Sequence, residues 1–186
     1  MRFHAFFLLA MTCLLQAVAP ETARAEKDPD GILARRVGVW NAKVTMKVPV
    51  QKTFDGQEKI GWVLKHNYLM GKGFYDDEGD GNNTEVLNMM AYNEADKRYY
   101  IWEFMANNKV QQTPAIGTWD AKKEQMTLIA DLGDEGTGEG TWKFEKDGTF
   151  TWTYQIKDQQ GKVVFSVEGT QVKTKKTTAA KKNPTN

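Results

Sequence analysis

The sequence predicts an all-β domain, an antiparallel up-and-down meander of about 8–10 strands closed into a β-barrel. Three observations predict it. From Trp40 to Val48 every second residue is apolar (Trp40, Ala42, Val44, Met46, Val48), and Asn41, Lys43, Thr45 and Lys47 between them are polar. That period of two marks a strand with one dry and one wet face. Further segments of this kind follow at roughly 8–12-residue spacing, separated by short turn signals. No stretch offers the dozen or more helical residues that a parallel crossover needs. A meander with one apolar face has two raw edges, and closure into a barrel removes both. A β-sandwich is the alternative architecture.

Residues 1–25 read as a secretory signal peptide: Arg2, an apolar run from Phe3 to Ala19, and the small-x-small site Ala23-Arg24-Ala25. Cleavage there would remove Cys13, the only cysteine, and with it any disulfide, thiolate metal site or cysteine nucleophile. The expected location is periplasmic or secreted, with no stable membrane insertion. Residues 26–36 form a polar leader and a short turn. The barrel is expected over residues 37–173, and the Lys-rich residues 174–186 as a disordered tail.

Within the barrel segment, Phe54-Asp55-Gly56 reads as a turn and Lys59 to Tyr68 as the second strand, with His66 and Tyr68 in phase with Trp62. Gly71 and Gly73 suggest a bend or bulge, after which Phe74 and Tyr75 resume the strand. Asp76 to Thr84 is a polar loop. Strands then run over Val86 to Tyr92, Lys97 to Ala106 and Val110 to Trp119, followed by Gln125 to Asp131, Thr141 to Glu145, Thr149 to Lys157 and Val163 to Val172. The Asp147-Gly148 turn is a strong hairpin signal.

Residues 26–172 carry 18 basic and 23 acidic groups, a net of −5. A nucleic-acid partner is excluded on that ground, because phosphate binding needs a basic footprint. The acidic loop at residues 76–85 has carboxylates in calcium-like positions, but Leu87 stands where the twelfth ligand should be, so a solvated loop is the reading. The acidic loop at residues 131–139 is read likewise, and no metal site or cofactor is implied. No nucleophile motif, zinc motif or phosphate cradle is present, and the weight falls against an enzyme.

Val37-Gly38-Val39-Trp40, Tyr68-Leu69-Met70-Gly71, the Tyr92-to-Tyr100 turn and aromatic strand, and Gly117-Thr118-Trp119-Asp120 together resemble lipocalin-like (calycin) barrels, in particular an exported bacterial family of unknown function. The resemblance implies a lumen for a small molecule, with the Gly-x-Trp tryptophan plugging the base beneath a basic side chain near the last strand. Lys173 is the candidate for that role. It also raises haem ligation by His66, as in nitrobindin-type barrels, against the ordinary reading of a hydrogen-bonded structural histidine.

The abundant aromatics have two readings. They fill the core, or they line a pocket for a small apolar ligand. The lumen candidates are Trp62, His66, Tyr68, Tyr100, Trp102, Phe104, Trp119, Trp152 and Tyr154. The function expected is binding of a small apolar ligand. A non-catalytic interaction module with a filled core is the second reading. The oligomeric state is left open.

Overall fold

A computed structural model of the chain describes residues 28–76, 83–106 and 113–174. A short helix, α1 (Ile32–Arg36), precedes ten strands: β1 (Gly38–Val48), β2 (Lys52–Val63), β3 (Tyr68–Asp76), β4 (Asn83–Asn93), β5 (Arg98–Met105), β6 (Ala115–Asp120), β7 (Gln125–Asp131), β8 (Thr137–Phe144), β9 (Phe150–Lys157) and β10 (Val163–Lys173). Each pairs antiparallel with its sequence neighbours, and β10 returns to β1, so the meander closes into one barrel without a free edge. The β1 alternation behaves as its pattern dictates. Trp40, Ala42 and Val44 are buried, while Asn41 and Lys43 are exposed.

The register carries this inward face around the wall. Trp40 is opposite Glu58, Glu58 opposite Gly73, Gly73 opposite Val86, and Val86 opposite Met105. Tyr99, Ile101, Glu103 and Met105 of β5 therefore point inward, and Tyr100, Trp102 and Phe104 point outward.

Three local expectations are corrected. Phe54-Asp55-Gly56 lies inside β2 rather than in a turn. The β2–β3 turn falls at residues 64–67 instead, where Leu64, Lys65 and His66 all have positive φ. No glycine announces that turn, which is why residues 64–68 read as strand. Gly71 and Gly73 form no bulge either. They pair in unbroken register on both sides, with Ile60 and Asn88 and with Glu58 and Val86.

α1 closes one end. Its start is held by Asp28, whose carboxylate accepts from the amides of Ile32 and Ala34 at 3.0 Å each and from the Tyr99 hydroxyl at 3.3 Å. A side chain read from sequence as part of a solvated leader thus satisfies two of the orphan amides of a helix start. Ile32 and Leu33, each 1% exposed, pack into the barrel base. Trp40 donates its indole N–H to the Arg36 carbonyl at 2.7 Å and meets the Phe150 ring edge-on at 6.3 Å. The Lys173 ammonium stands 5.2 Å from the Trp40 ring and the Arg36 guanidinium 5.3 Å from it, so two cations flank the plug.

Candidate functional site: the open half of the lumen

The lumen changes character along its axis. Near α1 it is sealed by Trp40, Leu69, Met90, Met126 and Phe150, none more than 2% exposed. Above that layer sits a buried polar cluster. Arg36 reaches up from α1 and pairs with Glu58 of β2 at 3.1 Å and with the Gln171 carbonyl oxygen of β10 at 2.5 Å. Gln171 donates to Glu58 at 2.9 Å, and Asn88 of β4 donates to the other Glu58 oxygen at 2.8 Å. The guanidinium also lies 3.8 Å over the Phe150 ring. Burial lowers the pKa of Arg36 and the Glu58 charge opposes the shift, so the arginine stays cationic. Tyr75 joins this cluster through Gln171, and burial raises its hydroxyl pKa above the ordinary value.

Beyond the cluster, inward side chains keep accessible surface. Met46, Phe54, Tyr75, Trp152 and Tyr154 are only half-buried although they point to the barrel axis, and Glu103 in the same space is exposed. Inward glycines explain how large groups leave room there. Tyr75 lies against Gly56 and Gly73, Tyr154 against Gly138 and Gly140, and Trp152 against Gly169, each where a Cβ would collide with the ring. The rings therefore lie flat on the wall instead of crossing the lumen. A ten-strand barrel is also wider than one its side chains just fill.

Glu103 is the unusual group. It faces the lumen and keeps accessible surface there, and among the described residues no cation or hydrogen-bond donor pairs with it. Burial, with the Glu58 charge second, pushes its carboxyl up to about 7. Burial first, and the Glu103 charge second, push Tyr154 up to about 12. Among the described residues, the β5–β6 ladder runs from Tyr99↔Gly117 to Ile101↔Ala115. Among the described residues, no cluster of three or more His, Cys, Asp or Glu could hold a metal ion.

The nine residues singled out by sequence separate into three groups. Trp152 and Tyr154 face the open half of the lumen. Trp62 and Trp119 take inward positions at the α1 end. His66 sits in the β2–β3 turn, its ring 6.0 Å from Trp62 and beyond the strand ends.

Tyr68, Tyr100, Trp102 and Phe104 lie on the outer wall, where Trp102 contacts Tyr68 at 6.4 Å and stacks on Tyr100 at 6.1 Å. Both faces of β5 are apolar, so alternation could not choose between them. Glu58, Asn88, Glu103 and Gln171 were missed as site residues. Their only signal is a polar residue in phase with apolar neighbours, as Glu58 is with Ile60 and Trp62.

The acidic loop predicted at residues 76–85 falls largely outside the described residues. In the one at residues 131–139, Asp131 accepts from the Gly133 amide, and Glu139 is held by Lys157 at 2.6 Å and Gln155 at 3.1 Å. A dent of about 300 Å³ on the outer wall is lined by Thr127, Ile129, Glu139, Gly140, Thr141, Thr153, Tyr154, Gln155 and Ser166. Its one carboxylate is already paired and it lies outside the lumen, so the interior is the candidate site.

No protein-family profile matches the sequence, and no curated protein matches it. Solved structures do match in shape. The S-type phycobiliprotein lyase CPES from Guillardia theta superposes with a TM-score of 0.59 at 14% identity, over 83% of this chain and 97% of the lyase. Rv2717c from M. tuberculosis superposes with a TM-score of 0.58 at 10% identity, over 77% of this chain and 95% of that one. The likeness is one of fold alone, a closed ten-strand antiparallel barrel. Among the described residues, no helix is long and apolar enough to cross a membrane.

Proposed function

We propose that this chain is an exported lipocalin-like barrel that holds one small, largely apolar ligand in the open half of its lumen. One observation carries the reading. Trp40, Leu69, Met90, Met126 and Phe150 seal the lumen near α1, whereas Met46, Phe54, Tyr75, Trp152 and Tyr154 point inward and keep accessible surface. Filling that space would remove apolar surface from water on ligand and wall together. About 300 Å² at 25 cal/mol per Å² is roughly 7 kcal/mol before ordering costs. Affinities between about the micromolar and the millimolar range are the expectation once those costs are subtracted. The signal-type segment at residues 1–25 supports export, and the similar barrels support the fold in which such binding occurs.

The test is a tryptophan-fluorescence titration with N-phenylnaphthylamine, a neutral apolar probe, followed by competition with fatty alcohols, retinoids and aromatic compounds. Saturable quenching at one site per chain is expected, because Trp152 lines the space. A panel that leaves the emission unchanged throughout would remove the support for a ligand-holding lumen.

A further inference from the structure

We propose that the ligand carries a cationic nitrogen, a primary amine or a comparable protonated group, which docks against Glu103. This rests on the lumen being a ligand site and adds the chemical class of what enters it.

Among the described residues, two carboxylates point into the central lumen. Glu58 is neutralised by Arg36 and also accepts from Gln171 and Asn88. Glu103 has no such partner among the described residues, and it faces the half of the lumen that stays open. The remaining inward charged and titratable groups are accounted for. Tyr75 and Tyr154 are neutral phenols whose pKa values lie above the ordinary tyrosine value. Lys173 and Tyr99 sit at the sealed end, against Trp40 and Asp28. Lys52 is at the rim, 5.6 Å from the Phe54 ring.

Among the described residues, Glu103 therefore has no cation against it when it ionises, unlike Glu58. An uncompensated carboxylate among aromatic rings is costly, and a cation bound there would compensate it. The ring faces of Trp152 and Tyr154 would add attraction for the same charge. An anionic ligand would meet the opposite field.

The experiment compares decylamine, decanol and decanoate by calorimetry at pH 8, with wild type, Glu103→Gln and Glu103→Lys. Wild type is expected to bind the amine at least about tenfold tighter than the alcohol, with decanoate weakest. Glu103→Gln should collapse the amine-to-alcohol ratio, and Glu103→Lys should move the preference to decanoate. Melting curves confirm that each variant is folded. If decanol binds but decylamine binds no tighter, or if the preference survives in Glu103→Gln, the inference is overturned while the lumen reading stands. If none of the three binds wild type, the lumen reading has failed and this inference falls with it.

Discussion

Arg36 and Glu58 form an ion pair of 3.1 Å inside the barrel, with both side chains no more than 3% exposed. The pair ties the helix that closes the base to the strand opposite Trp40. Breaking such a pair from one side leaves an unpaired buried charge, which costs more than the pair contributes. Arg36→Met is therefore expected to destabilise the domain by about 3–5 kcal/mol. Arg36→Met combined with Glu58→Leu should recover a large part of that loss. Urea unfolding of the three proteins checks the order. A single variant as stable as wild type would show that the pair does not hold α1 in place.

Glu103 makes stability depend on pH in a definite direction. Its carboxyl rises from an ordinary 4.5 to about 7. Between those values the folded protein keeps a proton that the unfolded chain has lost, so stability is lost as pH rises through that window. The side chain is also accessible to solvent, which screens the effect, so the loss is discounted to roughly 1 kcal/mol. Glu103→Gln should equal wild type near pH 4 and melt a few degrees higher at pH 8. A melting difference that does not change with pH would remove Glu103 as its source.

The glycines of β3 are there for space. Neither Gly71 nor Gly73 has a positive φ. A Cβ on Gly71 would lie 2.5 Å from a Glu58 oxygen, the one that Asn88 bonds. Gly71→Ala must therefore displace Glu58 from its partners, at an expected cost of about 1–3 kcal/mol. Gly61 of β2, with open space at its Cβ position, is the control. Gly61→Ala should cost little or be mildly stabilising. Equal melting temperatures for the two alanine variants would contradict this account.

These cases show what the sequence could and could not disclose. The strands, their meander and closure were legible because alternation and turn spacing are local signals. The aromatic lumen was legible only where one face of a strand is polar. On β9, Thr149, Thr151, Thr153 and Gln155 alternate with Phe150, Trp152, Tyr154 and Ile156. There Trp152 and Tyr154 could be placed inward.

On β5 both faces are greasy, and only the pairing of Glu103 with Asn88 and Ile101 with Met90 decides the phase. The polar cluster was hidden for another reason. Arg36, Glu58, Asn88 and Gln171 come from α1, β2, β4 and β10. No spacing rule joins residues brought together only by closure of the barrel. Lys173 was traceable, because the Gly-x-Trp resemblance asks for a cation above Trp40, and Lys173 stands there beside Arg36.

The opposite faces of the wall give the most direct test of where ligand sits. Val167 of β10 faces inward beside Tyr154 and opposite Met46, in the open half. Trp102 faces outward and packs against Tyr68 and Tyr100. Val167→Trp puts a large ring into the proposed cavity. It should lower probe affinity at least about tenfold, the effect of losing 1.4 kcal/mol or more of binding. Val167 is itself only half-buried, so the added ring has accessible space to turn into, and the fold should survive with a stability change of about 1–3 kcal/mol at most.

Trp102→Ser removes outer-wall contacts worth about 0.5–1.5 kcal/mol per aromatic pair. It should leave probe affinity within about twofold, a difference well under the 1.4 kcal/mol of a tenfold change. If affinity instead fell with Trp102→Ser and held with Val167→Trp, the ligand would belong to the aromatic outer face of β3–β5, and the lumen would be a cavity without an occupant.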